Sequence, residues 1–424
     1  MIVKVYSLYI KKTNKSGILF IRVYVNSFTY PKFLIRTVIK MLSSEANINF
    51  SADTRVALAR ADGYGQEEID ERVKELLDGL GIDPSDWAGK RVVIKPNLLL
   101  KFTPERAATA HPSVVEAIGR AFVSAGADVL LAESPGGPYN ALALEGIYSA
   151  SGMKQAAENA GFELNRDFSA KTFLAPEGVK VKEFNVITPI HDAELIVNVC
   201  KLKTHTMATM TAGIKNLFGV IPGTEKVEFH ARFSDMRDFA AAVVDLTSSI
   251  TARTPMLTVC DAVIGMEGNG PSAGTPRKIG CLLASMNPFA LDGVCAEIIG
   301  AGDRSPMLEE ARRRGYLPQN SENYRVIGAS VDEVRISDFV FPDTSKKGIL
   351  QRLPDFLSPR PVIIRNKCVG CGECARSCPR KAITVKNRVA RIDKKSCIKC
   401  YCCQELCKIQ AVKIHRSFIY KLVR

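Results

Sequence analysis

The chain has 424 residues, of which 46% are hydrophobic, and a net charge of +14. This length and hydrophobic content allow a large buried core in two or three domains, which excludes an intrinsically disordered protein. Thirteen cysteines would indicate disulfides in a secreted chain, but eight of them form two metal-ligand patterns near the C-terminus. We therefore expect a reducing compartment and a cytoplasmic protein.

The charge is unevenly distributed. Residues 1–50 carry eight Lys and Arg against one Glu, residues 51–359 carry 33 basic against 40 acidic residues, and residues 360–424 carry 17 against three. Basic proteins often bind nucleic acid, but no helix-turn-helix, zinc-finger or RNA-binding motif accompanies this charge. We expect no nucleic-acid partner. A basic C-terminal module is instead suited to attract an acidic redox partner protein or to dock on the acidic middle of the chain.

Residues 1–50 differ in character from the rest of the chain. Their apolar run, residues 18–25, contains Arg22 and is too short to span a bilayer, and no signal-peptide cleavage site comes after it. We predict an extension that is disordered or not translated, with Met41 as the alternative start. A small β-rich addition or a peripheral membrane anchor is the competing interpretation. No membrane span is expected.

Residues 53–341 alternate between apolar segments of strand length and segments with helical periodicity. The predicted strands begin at Arg55, Arg91, Asp128, Leu195, Met256, Ile279 and Tyr324, and the predicted helices cover 66–80, 113–125, 142–160, 207–218, 235–250, 288–299 and 305–315. Residues 163–190 favour an inserted hairpin. The alternation predicts an α/β fold with a mostly parallel sheet covered by helices. The proline-rich residues 342–360 are typical of a linker.

Polar residues accumulate after the predicted strands, where open α/β sheets bind ligands. They are Lys95 and Asn97, then Glu133-Ser-Pro-Gly-Gly, then Lys201, Lys203 and His205 in a predicted loop, then Lys215 and Asn216. The glycines of the second segment could bring backbone N–H groups close to an anion.

These residue types favour an anionic small molecule, a carboxylate or phosphate. We predict Lys203, His205 and Lys215 as catalytic residues, with His205 suited to proton delivery. Lys95, Asn97, Lys201 and Asn216 are predicted to bind the ligand. The competing interpretation is solvated surface lysines and a structural histidine. Asp261 and Asp292 are candidates for helix capping or for acid–base or metal duty.

Several segments together resemble a family known as domain of unknown function 362, over about residues 53–330. They are KPNLL from Lys95, ESPGG from Glu133, KLKTHTMATMTAGIKNLFGVIPG from Lys201, DAVIGMEGNGPSAGTPRK from Asp261, and ASMNPFALD ending at Asp292. The resemblance implies an α/β core and an association with iron–sulfur modules, but no established reaction.

Two copies of the pattern C-x2-C-x2-C-x3-C begin 29 residues apart, which favours iron–sulfur clusters over zinc. The first copy is Cys368, Cys371, Cys374 and Cys378, and the second is Cys397, Cys400, Cys403 and Cys407. Residues 361–415 resemble a bacterial-type two-[4Fe–4S] ferredoxin domain, followed by a tail over 416–424. The resemblance implies two [4Fe–4S] clusters, one held by Cys368, Cys371, Cys374 and Cys407, the other by Cys397, Cys400, Cys403 and Cys378.

The second copy departs from that family's pattern in two ways. No proline follows Cys407, and an extra thiol stands at Cys402. We expect Cys402 to be a bystander; an alternative ligand or a redox-active thiol is the other interpretation. The remaining cysteines, Cys200, Cys260, Cys281 and Cys295, are expected to lie singly as small buried hydrophobic residues.

Two functions fit these patterns. The first is a ferredoxin-coupled oxidoreductase that acts on an anionic small molecule in the α/β pocket. The second is an electron-transfer or maturation subunit without catalysis of its own.

Overall fold

The computed structural model describes residues 53–318, 324–342 and 358–416. The predicted extension over residues 1–50, most of the predicted linker and the tail after residue 416 lie outside the described residues. The domain boundaries proposed for those segments therefore stay predictions.

Strands and helices alternate through the first part of the described chain. The strands are β1 Arg55–Arg60, β2 Arg91–Pro96, β3 Asp128–Leu131, β4 Glu163–Leu164, β5 Ala170–Leu174, β6 Glu183–Ile187, β7 Leu195–His205, β8 Thr209–Thr211, β9 Met256–Glu267, β10 Thr275–Ser285, β11 Arg325–Gly328, β12 Arg360–Ile363, β13 Ile383–Lys386, β14 Val389–Ile392 and β15 Val412–His415. The α-helices are α1 Gln66–Leu80, α2 Pro112–Ser124, α3 Ala141–Ala150, α4 Met153–Ala160, α5 Thr188–His191, α6 Gly213–Asn216, α7 Glu225–Arg232, α8 Met236–Arg253, α9 Pro288–Ile298, α10 Pro306–Arg313, α11 Val331–Val334, α12 Glu373–Arg376 and α13 Cys402–Glu405.

One nine-stranded sheet organises the core, in the order β11-β1-β10-β9-β7-β2-β3-β4, with β8 paired to β7. Strand β10 runs antiparallel to β1 and β9, and β8 antiparallel to β7, while the other pairs in this sheet are parallel. Apolar residues of α8, α9 and α10 belong to one buried cluster, and those of α1, α2 and α4 to another. The mostly parallel sheet covered by helices is thus confirmed.

Local sequence explains the well-predicted elements. Helix α1 buries Ile69, Val73 and Leu76 along one face, the spacing that helical periodicity requires. The helix ends at Gly81, whose φ of 69° lies in the left-handed region that glycine adopts without steric cost. Between β4 and β7, strands β5 and β6 pair antiparallel, which confirms the inserted hairpin.

The predicted helix over 207–218 is wrong. Thr209 and Thr211 belong to β8, which pairs with the end of β7, and only Gly213–Asn216 forms an α-helix. The ladder that pairs Lys203 with Thr211 and His205 with Thr209 thus outweighs the helical pattern of the apolar residues. The predicted helix over 142–160 is two helices, because the chain turns at Gly152, where φ is 77°.

The four core cysteines are buried, as expected, but they do not all lie singly. The thiols of Cys200 and Cys295 interact with that of Cys260, and Cys200 and Cys260 stand opposite each other on β7 and β9. Neighbouring parallel strands bring them together, a contact that their separation in sequence conceals.

The C-terminal cysteine-rich module, residues 358–416, contains two small antiparallel sheets, β12–β15 and β13–β14. The latter is a β-hairpin that lies between the two cysteine runs in the sequence. None of the helices in the described ranges is long and apolar enough to cross a membrane.

Candidate functional site

The residues Lys201, Lys203 and His205 lie inside strand β7 and not in a loop, which corrects the prediction. None of the three is more than 3% exposed. A run of Lys and His looks like a surface segment, but each of these side chains has buried polar partners. Their burial also rules out the interpretation of solvated surface lysines.

Lys201 belongs to a separate buried network. Its Nζ donates to Asp261 Oδ2 and to the Tyr64 hydroxyl, both at 2.8 Å, and that hydroxyl donates to Asp261 Oδ1 at 2.8 Å. The imidazole of His111 stacks on Tyr64 at 3.6 Å. Asp261 therefore neutralises a buried cation. Asp292 instead accepts hydrogen bonds from the N–H groups of Gly213 and Ile214 at the start of α6.

Lys95 forms a buried ion pair with Glu133. Burial lowers the pKa of Lys95 and raises that of Glu133, while the opposite charge of each partner counteracts the shift. Gly219 leaves room for this carboxylate, because a Cβ atom there would lie 2.3 Å from Glu133 Oε1 and displace it. The ion pair fixes the segment after β3 against the end of β2.

Lys203 is held by two oxygen acceptors. Its Nζ donates to Asn97 Oδ1 at 2.7 Å and to the Ala108 carbonyl at 2.5 Å. The Asn97 amide donates in turn to Asn216 Oδ1 at 3.1 Å, which fixes its orientation. Burial, together with the positive charge of Lys215, lowers the pKa of Lys203 to about 7. Lys203 can therefore hold or release a proton near neutral pH.

A cavity of about 110 Å³ lies at this end of the sheet. It brings together five of the predicted site residues, which are Lys203, His205, Lys215, Asn97 and Asn216. The other two, Lys95 and Lys201, do not line it. Lys95 forms an ion pair with Glu133, and the side chain of Glu133 lines the cavity.

Lys215 supplies positive charge that no acceptor in the described residues satisfies. Its ammonium lies 4.6 Å from the ring centroid of Phe218 and 5.7 Å from that of Phe239, which are cation–π contacts. Among the described residues it forms no hydrogen bond and no ion pair. Burial lowers its pKa, and the carboxylate of Glu405 opposes that shift.

Two further polar atoms at the cavity are buried without a hydrogen-bond partner in the described part of the chain: Thr211 Oγ1 and His230 Nδ1. Buried polar groups are usually paired, and a group of orphans around one cavity indicates a polar ligand. An ammonium beside them has the charge and the N–H groups that can bind an anion.

The sequence did not single out Lys226 and His230, which also line the cavity. They lie four residues apart on α7, and that i,i+4 spacing was a usable signal for a shared face. Lys226 donates to the carbonyls of Ser134 and Ile221, each at 2.6 Å, and burial lowers its pKa to about 7. The ring of His230 stacks on Phe239, and burial lowers its pKa to about 3.

The glycine segment after β3 was expected to bring backbone N–H groups close to an anion, and the structure gives Gly136 another role. The Gly136 N–H donates to the Leu99 carbonyl at 2.9 Å and is therefore not free to bind an anion. A Cβ atom at Gly136 would lie 3.0 Å from Leu406 Cδ2. This glycine instead permits close approach of the cysteine-rich module.

The cysteine-rich module forms one wall of the cavity, through Cys402, Glu405 and Leu406. Gln404, 2% exposed, donates to the Asn269 carbonyl at 3.0 Å, and Ser272 Oγ donates to the Glu405 carbonyl at 3.0 Å. Leu406 packs in an apolar cluster with residues of the α/β core. The wall is therefore a packed and hydrogen-bonded interface.

The cysteines of this module group as the two-cluster resemblance implies. Burial and the nearby thiols of Cys407, Cys371 and Cys368 raise the pKa of Cys374 to about 11. These four cysteines are the first implied ligand set. Cys407 joins the first three only because the fold brings the end of the second run back to the first.

The second implied ligand set lines one small cavity, together with apolar side chains of β13 and β14. Its cysteines are Cys378, Cys397, Cys400 and Cys403. Backbone N–H groups donate to the sulfurs of Cys378, Cys368 and Cys407 at 3.2, 3.4 and 3.2 Å. Such bonds stabilise thiolates that bind iron. The residues present thus fit [4Fe–4S] centres.

Comparisons with known proteins agree with this architecture. Residues 92–297 match the family described as Domain of unknown function (DUF362), and residues 361–384 match a 4Fe-4S binding domain. A thylakoid-associated protein of Synechocystis sp. is 31% identical over 281 residues, which cover 63% of this chain and 81% of that protein.

Two shorter matches each cover only about a quarter of the relative. A component of an ion-translocating oxidoreductase complex of Methanosarcina acetivorans is 31% identical over 72 residues, 17% of this chain and 27% of that protein. The DNA-directed RNA polymerase subunit Rpo3 of the same organism is 35% identical over 68 residues, 15% of this chain and 26% of that protein.

The α/β core, the cysteine pattern and these matches lead to one assignment. The chain belongs to the DUF362 family and is an iron–sulfur, electron-transfer protein whose α/β core is fused to a 4Fe-4S binding domain.

Proposed function

We propose that the protein binds two [4Fe–4S] clusters and is a ferredoxin-coupled oxidoreductase that acts on a small anionic molecule in the cavity behind α13. The observation that carries the proposal is the shared cavity wall. The unpartnered ammonium of Lys215 and the orphaned polar atoms of Thr211 and His230 line the same space as Cys402 of the cysteine-rich module. Cys402 stands next to Cys403 in sequence, and its thiol interacts with Cys400.

The clusters, when bound, supply one electron each. Lys215 binds the anion, because its charge has aromatic contacts but no acceptor in the described residues. Lys203, with a pKa near 7, holds a proton at Nζ that it can exchange with the ligand, and Asn97 fixes its position. Lys203, His205 and Asn216 are buried, and the low polarity of such surroundings strengthens their electrostatic contacts.

The cavity restricts the size of the ligand. A cavity of roughly 150 Å³ accommodates benzene, which has six non-hydrogen atoms, so about 110 Å³ admits a molecule of about four or five non-hydrogen atoms. Small carboxylates and oxyanions meet this limit. A nucleotide or a coenzyme does not fit inside it.

His205 remains in the proposed site as a neutral side chain. Burial, together with the charges of Lys215 and Lys203, lowers its pKa well below the usual value. Its Nδ1 accepts from the N–H groups of Met207 and Ala208 at 3.1 and 3.3 Å, so the proton resides on Nε2. A neutral Nε2–H can donate a hydrogen bond, while Lys203 is better suited to exchange a proton at neutral pH.

The test uses anaerobically reconstituted full-length protein that has been reduced with photoreduced deazaflavin. Nitrite, sulfite and acetate are mixed with it in turn, and cluster reoxidation is followed by visible absorbance. The proposal expects at least one small oxyanion to reoxidise the wild type, and Lys215→Met and His205→Ala to slow that reaction. If all the anions leave the clusters reduced, or if both variants react at the wild-type rate, the core acts without catalysis and the protein is an electron-transfer subunit.

A further inference from the structure

The side of the cysteine-rich module with the first cysteine run is open to solvent. Cys371 is the one cysteine in the described residues that is exposed, whereas Cys402 and Cys403 are buried. Beside it, the apolar side chain of Val369 is 53% exposed. The loop that contains Cys371 thus faces solvent. Helix α13, on the second cysteine run, packs against the α/β core.

Basic side chains surround this exposed loop. Lys367, Arg376 and Arg388 are all exposed, and a guanidinium N–H of Arg376 donates to the Cys371 carbonyl at 3.1 Å. The backbone of Arg388 packs on Gly370, where a Cβ atom would lie 2.6 Å from Arg388 Cα. The turn between β13 and β14 therefore lies against the cysteine loop.

Little negative charge opposes these side chains. Between residues 365 and 388 the sequence contains a single carboxylate, Glu373. Glu373 forms an ion pair with Arg376 at 2.9 Å. The loop therefore carries an exposed apolar centre within a strongly positive rim.

We propose that this basic face, formed by Lys367, Val369, Cys371, Arg376 and Arg388, is the docking surface for a small acidic redox protein. The proposal rests on the electron-transfer role of the module and does not depend on which anion occupies the cavity. Complementary charge steers a partner to the exposed ligand and raises the association rate. An apolar centre with a charged rim is the composition of a small, transient interface.

The surface and the cavity are formed by different residues. None of the five residues of the basic face lines the cavity, whose wall in this module consists of Cys402, Glu405 and Leu406. A partner on the basic face and a ligand in the cavity therefore contact different side chains.

The experiment measures binding of cluster-loaded, full-length protein to an acidic flavodoxin by isothermal titration calorimetry under anaerobic conditions. The variant Lys367→Glu/Arg388→Glu reverses two charges on the face. The control Lys413→Glu makes the same kind of change on β15, at an exposed residue outside the face. A second variant, Val369→Asp, alters the apolar centre at an exposed position. Iron content and circular dichroism establish that each variant is folded and loaded.

We expect the double charge reversal to raise Kd by about tenfold or more at ~50 mM salt, and the difference to shrink at ~500 mM salt, where exposed charges are screened. Val369→Asp should weaken binding at both salt concentrations, and Lys413→Glu should change Kd by less than about twofold. The proposal would be overturned if the double variant bound flavodoxin as tightly as the wild type does. It would also be overturned if the Kd of the wild type did not depend on salt, or if the wild type did not bind flavodoxin. Acetate binding in the cavity, measured on the same samples, reports separately on the proposed function.

Discussion

Glu405 Oε1 lies 3.3 Å from His205 Nε2, so a carboxylate of the cysteine-rich module meets an imidazole of the α/β core at the cavity. The contact joins α13 to the end of β7. Gln404 and Ser272 make hydrogen bonds across the same interface. The implied iron–sulfur ligands and the residues that line the cavity are therefore parts of one packed structure.

Replacing Lys215 by Met should weaken acetate binding without lowering the stability of the fold. The variant removes the unpartnered ammonium, and we expect the Kd for acetate to rise by about tenfold or more, the effect of losing a charged hydrogen bond. The Met side chain still packs on Phe218 and Phe239, so the melting temperature of the free protein should stay the same or rise. Calorimetry measures the Kd for acetate, and thermal unfolding measures the melting temperature.

The matched control for that variant is Lys278→Met, at an exposed lysine of β10. It should leave both quantities unchanged. Equal acetate affinity in Lys215→Met and the wild type would remove Lys215 from the site.

Acetate binding should weaken as the pH rises from about 6 to 8. Burial lowers the pKa of Lys203 and of Lys226 to about 7, so both lose their positive charge across this range. Acetate stays ionised, and His230, with a pKa of about 3, stays neutral. Because the charged lysines attract the anion, its affinity is highest below pH 7 and falls about tenfold for each charge that binding requires.

Lys203→Met removes one of the two titrating groups and should flatten the pH profile. Calorimetric titrations at several pH values supply the comparison. An affinity for acetate that is constant or increases with pH would show that neither lysine contributes its charge.

The effects of substituting Lys95 and Glu133 on the free energy of unfolding should be strongly coupled, because the two side chains form a buried ion pair. Glu133→Ala leaves Lys95 as an uncompensated buried charge, so we expect the free energy of unfolding to fall by about 3–5 kcal/mol. The double variant Lys95→Met/Glu133→Leu removes both charges and should be closer to the wild type. Urea unfolding of Lys95→Met, Glu133→Leu and their double variant measures the coupling energy, and additive effects would contradict a buried ion pair.

Iron content should distinguish Cys402 from its neighbours. Cys402→Ala should retain about eight iron atoms per chain, because the eight implied ligands remain. Cys400→Ala removes a ligand of the second set and should lose iron and the matching part of the visible absorbance. Loss of iron from Cys402→Ala would instead make Cys402 a ligand or a necessary support for one.

Much of the fold follows from local patterns, because apolar runs such as β2 and the helical spacing of α1 depend on neighbouring residues. The cysteine spacing likewise predicts the metal ligands. The conformation of residues 201–211 did not follow from the sequence, since Lys201 and Lys203 are stable in a buried strand only when Asp261, Asn97 and Ala108 supply their oxygen partners. Those partners are distant in the chain.

The cavity was only partly predictable for the same reason. Lys203 and Lys215 stand in a short segment, and their residue types indicated an anion. The wall formed by Cys402, Glu405 and Leu406 comes from almost 200 residues further along the chain. Only tertiary packing places it there, and neither composition nor periodicity carries that information.

The most direct test of the account is an anaerobic crystal structure of the cluster-loaded protein soaked with acetate, with iron located by anomalous scattering. We expect two four-iron centres, one of them held by Cys378, Cys397, Cys400 and Cys403 beside the cavity wall, and acetate bound to Lys215 behind Cys402. An acetate-free cavity, a zinc ion in place of the iron, or a cysteine-rich module displaced from the cavity would contradict the account.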